Sequence, residues 1–198
     1  MQARLERFLA GHDRLRIPLR GRAQAAVLMG FFEGLGGPEL LLIRRAEGND
    51  CHAGQVSFPG GHVESGEGVE AAALREAMEE CSLEQSRVTV LGRYDDCVSI
   101  HEVVVSTVVA WLEPPQALQR ELAEVARIFA MPWQDLVSGR GFSQKNLRGY
   151  EIPYWTFPCR GLDGREPLMA EETLWGLTGH MVRSLIRDLE GGVTCATH

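Results

Sequence analysis

The segment Gly61–Leu83, GHVESGEGVEAAALREAMEECSL, constrains this chain more than any other. Glu76, Glu79 and Glu80 stand at i, i+3 and i+4, so a helix over 67–81 places all three carboxylates on one face. Leu74, Ala77, Met78 and Cys81 then fall on the opposite face, where they can pack against a sheet. Three carboxylates within one turn repel one another at some cost in helix stability. A hard divalent cation relieves that repulsion, because Mg²⁺ takes oxygen ligands and commonly keeps waters and substrate phosphates. For the carboxylates alone, the competing reading is a solvated acidic helix face.

The rest of the chain reads as one globular domain, residues 1–198, with a core over about 24–189. Its 198 residues are 44% hydrophobic and 24% charged, enough for a sizeable core and unlike a disordered chain. The longest uncharged apolar runs, 23–32 and 103–112, are too short to span a bilayer as helices, and no membrane partner is expected. The net charge of -7 gives no basic surface for phosphate backbones, so no nucleic acid is expected either. Five scattered cysteines without a CxxC spacing fit a reducing cytoplasm better than a disulfide scaffold. Oligomeric state is not legible.

An amphipathic helix is predicted over 2–11, and strands over 24–32, 39–44, 88–95, 103–112, 125–130 and 150–158. A short helix over 133–137 and a long one over 170–189 complete the pattern. Strands interleaved with helices, without regular βαβ spacing, predict an α+β fold with a mixed sheet sandwiched between helices. Arg14–Arg22, RLRIPLRGR, is basic and broken by Pro18; it reads as a surface connection or as a landing strip for phosphates.

The pattern GX5EX7REUXEEXGU matches at Gly61, Glu67, Arg75, Glu76, Glu79, Glu80 and Leu83, with Ala77 at the first apolar slot. Coincidence at the six single-residue positions is on the order of one in a hundred thousand. The segment resembles the Nudix box of the Nudix hydrolases, enzymes that cleave nucleoside diphosphates linked to another moiety with Mg²⁺ or Mn²⁺. The resemblance implies a Nudix-type α/β/α sandwich with a loop–helix–loop box and a small nucleotide as substrate. It implies Glu76 and Glu80 as main metal ligands, Glu79 ligating directly or through water, and a metal contact from the Gly61 carbonyl. Glu67 and Arg75 resemble the family's structural ion pair. Ser82 departs from the box glycine; in a left-handed conformation it costs about 1 kcal/mol.

Upstream, Leu41–Gly61 (LLIRRAEGNDCHAGQVSFPGG) resembles the LLTxRAxxxRxxxGxxxFPGG signature of the coenzyme A pyrophosphatases, a Nudix subgroup. Ile43 stands in place of threonine, and Asp50 in place of the second arginine. The subgroup implies cleavage of coenzyme A to 3′,5′-ADP and 4′-phosphopantetheine. Asp50 keeps open another nucleoside diphosphate derivative such as ADP-ribose, a dinucleotide or a damaged nucleotide. A non-catalytic nucleotide-sensing module is a third reading. Arg44, Arg45 and Phe58 are the substrate-binding candidates, guanidinium groups suiting bidentate phosphate contacts. Glu124, rather than Glu121, is the candidate carboxylate from outside the box, grouped with Glu76, Glu79 and Glu80 as catalytic. His52, His62 and His101 can polarise a phosphate or serve as loop residues. Trp155 and Trp175 can stack on adenine or pack the core.

Overall fold

The computed structural model describes residues 1–48, 52–114, 118–147, 149–164 and 169–191. Every strand among the described residues joins one mixed sheet. In chain order the elements are α1 (Gln2–Gly11), β1 (Gln24–Gly34), β2 (Gly37–Arg45), β3 (Val56–Ser57), β4 (Gly60–His62) and α2 (Val69–Cys81). A 3-10 turn (Gln85–Arg87) leads to β5 (Val88–Arg93), β6 (Cys97–Val98), β7 (Val104–Leu112), β8 (Val125–Pro132) and α3 (Trp133–Val137). The chain continues through β9 (Phe142–Leu147), β10 (Tyr150–Gly161), β11 (Met169–Leu174) and α4 (Gly176–Leu189).

The long strands run in the order β11-β10-β8-β2-β1-β7-β5, with short β3, β4, β6 and β9 paired alongside β2, β1, β7 and β10. β1 and β7 are parallel, from Gln24↔Val104 to Phe31↔Trp111, whereas β1–β2, β2–β8 and β5–β7 are antiparallel. Alternation along the central strands splits the core in two. Leu40 and Leu42 of β2 join Met29 and Phe31 of β1 on the face covered by α1, α3 and α4. Leu41 and Ile43 join Ala26, Leu28 and Phe32 on the face covered by α2. The fold is therefore an α/β/α sandwich of the α+β class.

The Leu35–Gly36 turn is tighter than the predicted 33–38 connection, because Gly34 pairs directly with Gly37. The predicted helix over 170–189 divides. Residues 169–174 are a strand paired with Trp155–Arg160 of β10, and helix starts only at Gly176, where φ is +64°. Burial alternates there, with Glu172 and Leu174 buried and Glu171 exposed, a period of two that overrides the helix-forming composition. β9, polar in sequence, exists through its pairing with β10.

The helix α2 also sits differently from the expected orientation. Ala72, Ala73, Ala77, Cys81 and Glu80 are its buried residues, while Met78 is 46% exposed. Carboxylate and apolar faces are thus adjacent rather than opposite, and Glu80 points into the molecule.

Candidate active site

The site forms where α2 crosses the glycine pair of β4 and the ends of β2 and β8. Glu80 is its most buried member, 1% exposed. Its Oε2 accepts the Gly60 N–H at 2.9 Å, and its Oε1 lies 3.5 Å from Arg45 Nη1. Burial pushes the Glu80 carboxyl up to about 7; the Gly60 hydrogen bond and Arg45 pull it down, while Glu76 and Glu124 push it further up. Three carboxylates therefore converge electrostatically on one point. Glu124 reaches it from the exposed turn before β8, which the backbone ties to its neighbours: Ala46 N–H donates to the Glu124 carbonyl and Glu121 N–H to that of Glu80.

Two glycines shape the floor. At Gly60 (φ +158°) a Cβ would stand 2.4 Å from the Ala26 carbonyl oxygen. At Gly61 a Cβ would stand 2.4 Å from Glu76 Oε1, so the Glu76 carboxylate occupies the space that a side chain would fill. This close approach explains the residue type at both positions.

Arg75 braces the acidic face. Its Nε and Nη2 donate to the two oxygens of Glu67 at 3.0 and 3.2 Å, a bidentate pair that holds Glu67 below the ordinary carboxylate range. Its Nη1 reaches Glu76 at 3.0 Å and Glu79 at 2.9 Å, and Nη2 also donates to the His62 carbonyl. One guanidinium thus fixes the loop, the helix and two of the three clustered carboxylates. Glu79 remains the most exposed of these three, at 56%.

The structure does not bring every candidate together. Arg44 and Arg45 leave the sheet on opposite faces: Arg44 lies 3.5 Å from Glu172 and 3.2 Å from Glu47, away from Glu80. Phe58 is 2% exposed in the core beneath α1, α3 and α4, which leaves no ring face for a ligand. Trp155 is fully buried in the same core. Trp175 caps the start of α4 beside Tyr154. His52 and His101 meet edge to face at 5.4 Å, linking the loop before β3 to the loop between β6 and β7. Asp50 lies outside the described residues. Ile43, the other departure from the upstream signature, is fully buried beneath α2 and faces packing rather than ligand. Ser82 does adopt the left-handed conformation (φ 53°, ψ 35°), and the α2 terminus closes through Leu83 N–H to the Ala77 carbonyl.

Sequence reasoning missed one constellation. His12, Asp95 and Asp188 bring ligand atoms within 4.8 Å of one another, the closest such grouping among the described residues. His12 Nε2 lies 2.8 Å from Asp95 Oδ1, and Tyr94 Oη donates to Asp188. These contacts, with Arg187 Nε on Asp188 at 2.7 Å, clasp α1 and α4 to the chain after β5. The residues are too far apart in sequence for any spacing signal to show them.

The glutamate helix over a glycine pair, set in this sandwich, defines a Nudix hydrolase. The Nudix domain model matches residues 21–164, and the chain belongs to that family of enzymes. It hydrolyses pyrophosphate bonds of nucleoside diphosphate derivatives, as the family does with divalent cations. Among relatives, it is 38% identical over 188 residues to the uncharacterized Nudix hydrolase NudL of Citrobacter koseri, covering 91% of this chain and 92% of that one. A NudL of Photorhabdus laumondii is 33% identical over 156 residues, 77% and 78% of the two chains. Among solved structures, the M. smegmatis Nudix hydrolase RenU superposes with TM-score 0.50 at 26% identity, over 58% of this chain and 73% of that one. The C. elegans Ap4A hydrolase binary complex gives TM-score 0.50 at 24% identity, over 57% and 83%, and shares the fold.

Proposed function

We propose that this single-domain enzyme cleaves coenzyme A or its thioesters to 3′,5′-ADP and the corresponding 4′-phosphopantetheine. The observation that carries the site assignment is buried Glu80, held by the Gly60 N–H and Arg45 and within electrostatic reach of Glu76 and Glu124. A carboxyl held at about 7 by burial and by two like charges is poorly stabilised as it stands, and a divalent cation is the partner that compensates it. Glu76 and Glu80, with Glu79 directly or through water and the Gly61 carbonyl, would hold Mg²⁺ or Mn²⁺. Such an ion neutralises phosphoanhydride charge and acidifies the water it holds.

The chain's own residues supply the rest. Arg45, 28% exposed, can leave Glu80 to form a bidentate contact with a phosphate oxygen pair. Exposed Glu124 can accept the proton of the attacking water. Water adds to one phosphorus, the anhydride P–O bond breaks, and the leaving oxygen becomes the second phosphomonoester. Support for the coenzyme A assignment is the signature at Leu41, Leu42, Arg45, Ala46, Gly54 and Phe58–Gly61. Free Cys81, Cys97 and Cys159 are in keeping with work in the cytoplasm. Asp50, an anion where that signature has a cation, favours ADP-ribose or a dinucleotide as the second reading.

The test is incubation of the purified protein with Mg²⁺ or Mn²⁺ and a panel of coenzyme A, acetyl-coenzyme A, ADP-ribose and diadenosine polyphosphates, with products identified by mass spectrometry. Formation of 3′,5′-ADP is the expected result. Intact coenzyme A and thioesters beside cleaved ADP-ribose would transfer the assignment to the second reading.

A further inference from the structure

The basic segment before β1 plays no part in the site described above. It lies beside the loop between β5 and β7, and the two are tied at both ends. Asp96 N–H donates to the Leu15 carbonyl at 3.0 Å, and Ile17 N–H donates to Asp96 Oδ2 at 3.1 Å. At the far end Arg22 lies 3.7 Å from Glu102, and Val104 N–H donates to the Ala23 carbonyl. Between these ties the paired loops expose Leu15 (57%), Leu19 (39%), Val98 (39%) and Ile100 (88%). The other exposed large apolar side chains among the described residues, Leu35, Met78 and Leu122, stand on separate segments.

Charge is distributed to match. The facing loop's acids are engaged: Asp95 with His12, Asp96 with Arg14 and Arg93, Glu102 with Arg22. Arg16 and Arg20 are exposed and form no ion pair among the described residues, in a nine-residue stretch, Arg14–Arg22, that has four arginines and no acid. Aliphatic tips with uncompensated guanidinium groups, on a chain of net charge -7, form a local amphiphilic surface that composition alone hides.

We propose that these paired loops dock the enzyme on an anionic lipid bilayer, with Leu15, Leu19, Val98 and Ile100 entering the interface and Arg16 and Arg20 meeting lipid phosphates. A peripheral contact of this kind needs no spanning helix, so it departs from the sequence expectation of no membrane partner. The His52–His101 contact joins this surface to the loop that precedes the glycine pair of the site.

The test is flotation of the full chain with vesicles of equal parts phosphatidylcholine and phosphatidylglycerol, against vesicles of phosphatidylcholine alone. Wild type is expected to float with the anionic vesicles at about 0.1 M salt and to be released as screening rises. Arg16→Glu with Arg20→Glu should weaken vesicle binding by about thirtyfold or more, given the attraction of each cation to such a surface. Ile100→Asp should weaken it by about tenfold. All variants should keep wild-type melting temperatures and hydrolysis of soluble substrate. Wild type left in the supernatant, equal binding to both vesicle types, or undiminished binding by the variants would overturn the proposal. A lipid-independent dimer that the same substitutions dissolve would overturn it in favour of a second copy of this chain.

Discussion

Glu80→Gln should abolish hydrolysis and yet stabilise the metal-free fold. The Glu80 carboxyl rises from an ordinary 4.5 to about 7, chiefly because the sandwich buries it. Since the folded-state value is the higher one, the native protein binds more protons than the unfolded chain between pH 4.5 and 7. Stability therefore falls as pH rises through that window, and the full penalty applies above it. At about 1.4 kcal/mol per pH unit, the ionised side chain costs about 3 kcal/mol. Glutamine keeps an oxygen for the Gly60 N–H but leaves Arg45 without its partner, so the net gain should be about 1–3 kcal/mol. Urea unfolding of EDTA-treated protein at pH 8 and at pH 4.5 checks this: the variant should unfold at higher urea at pH 8, with the gap nearly closed at pH 4.5. Added Mn²⁺ should stabilise wild type alone. A variant less stable than wild type at pH 8, or a pH-independent difference, would refute the reasoning.

Ser82→Gly should raise stability by about 1 kcal/mol, because the left-handed cap of α2 no longer carries a side chain; chemical denaturation with an unchanged m-value would show it. Gly61→Ala should leave the melting temperature nearly unchanged, since the Glu76 carboxylate can swing aside from the new Cβ, but should cut kcat/KM on the order of a hundredfold by displacing that carboxylate. Steady-state kinetics beside a thermal melt separates the two effects.

The sandwich and its helix were legible because their signals are local. The continuous apolar run Leu40–Ile43, the run Val104–Leu112 and the spacing of Glu76, Glu79 and Glu80 each depend on neighbours within a few residues. The rotation of α2 was not legible. Alanines at 72, 73 and 77 give no strong apolar stripe, so the buried side of the helix is set by the surface it meets. The strand at Met169–Leu174 was lost for a related reason: its pairing partner in β10 decides between a strand and an extension of the helix that follows. Of the neighbours Arg44 and Arg45, only Arg45 matches the upstream signature, and the fold separates them, Arg45 facing Glu80 and Arg44 facing Glu172. The Arg45–Glu80 contact and the His12–Asp95–Asp188 clasp join distant positions, and only the folded chain reveals them.

The alanines beneath α2 have an outcome beyond packing. Ala72, Ala73 and Ala77, with Ala26 below them, let the helix lie low on the sheet, and that height sets how far Glu76 and Glu80 stand from the glycine pair. A bulkier residue at any of these four places would act as a shim under a hinge plate, widening the gap between acid and loop without touching either. With the proposed cation held by Glu76 and Glu80, its affinity would in that sense be tuned by methyl groups that never meet it.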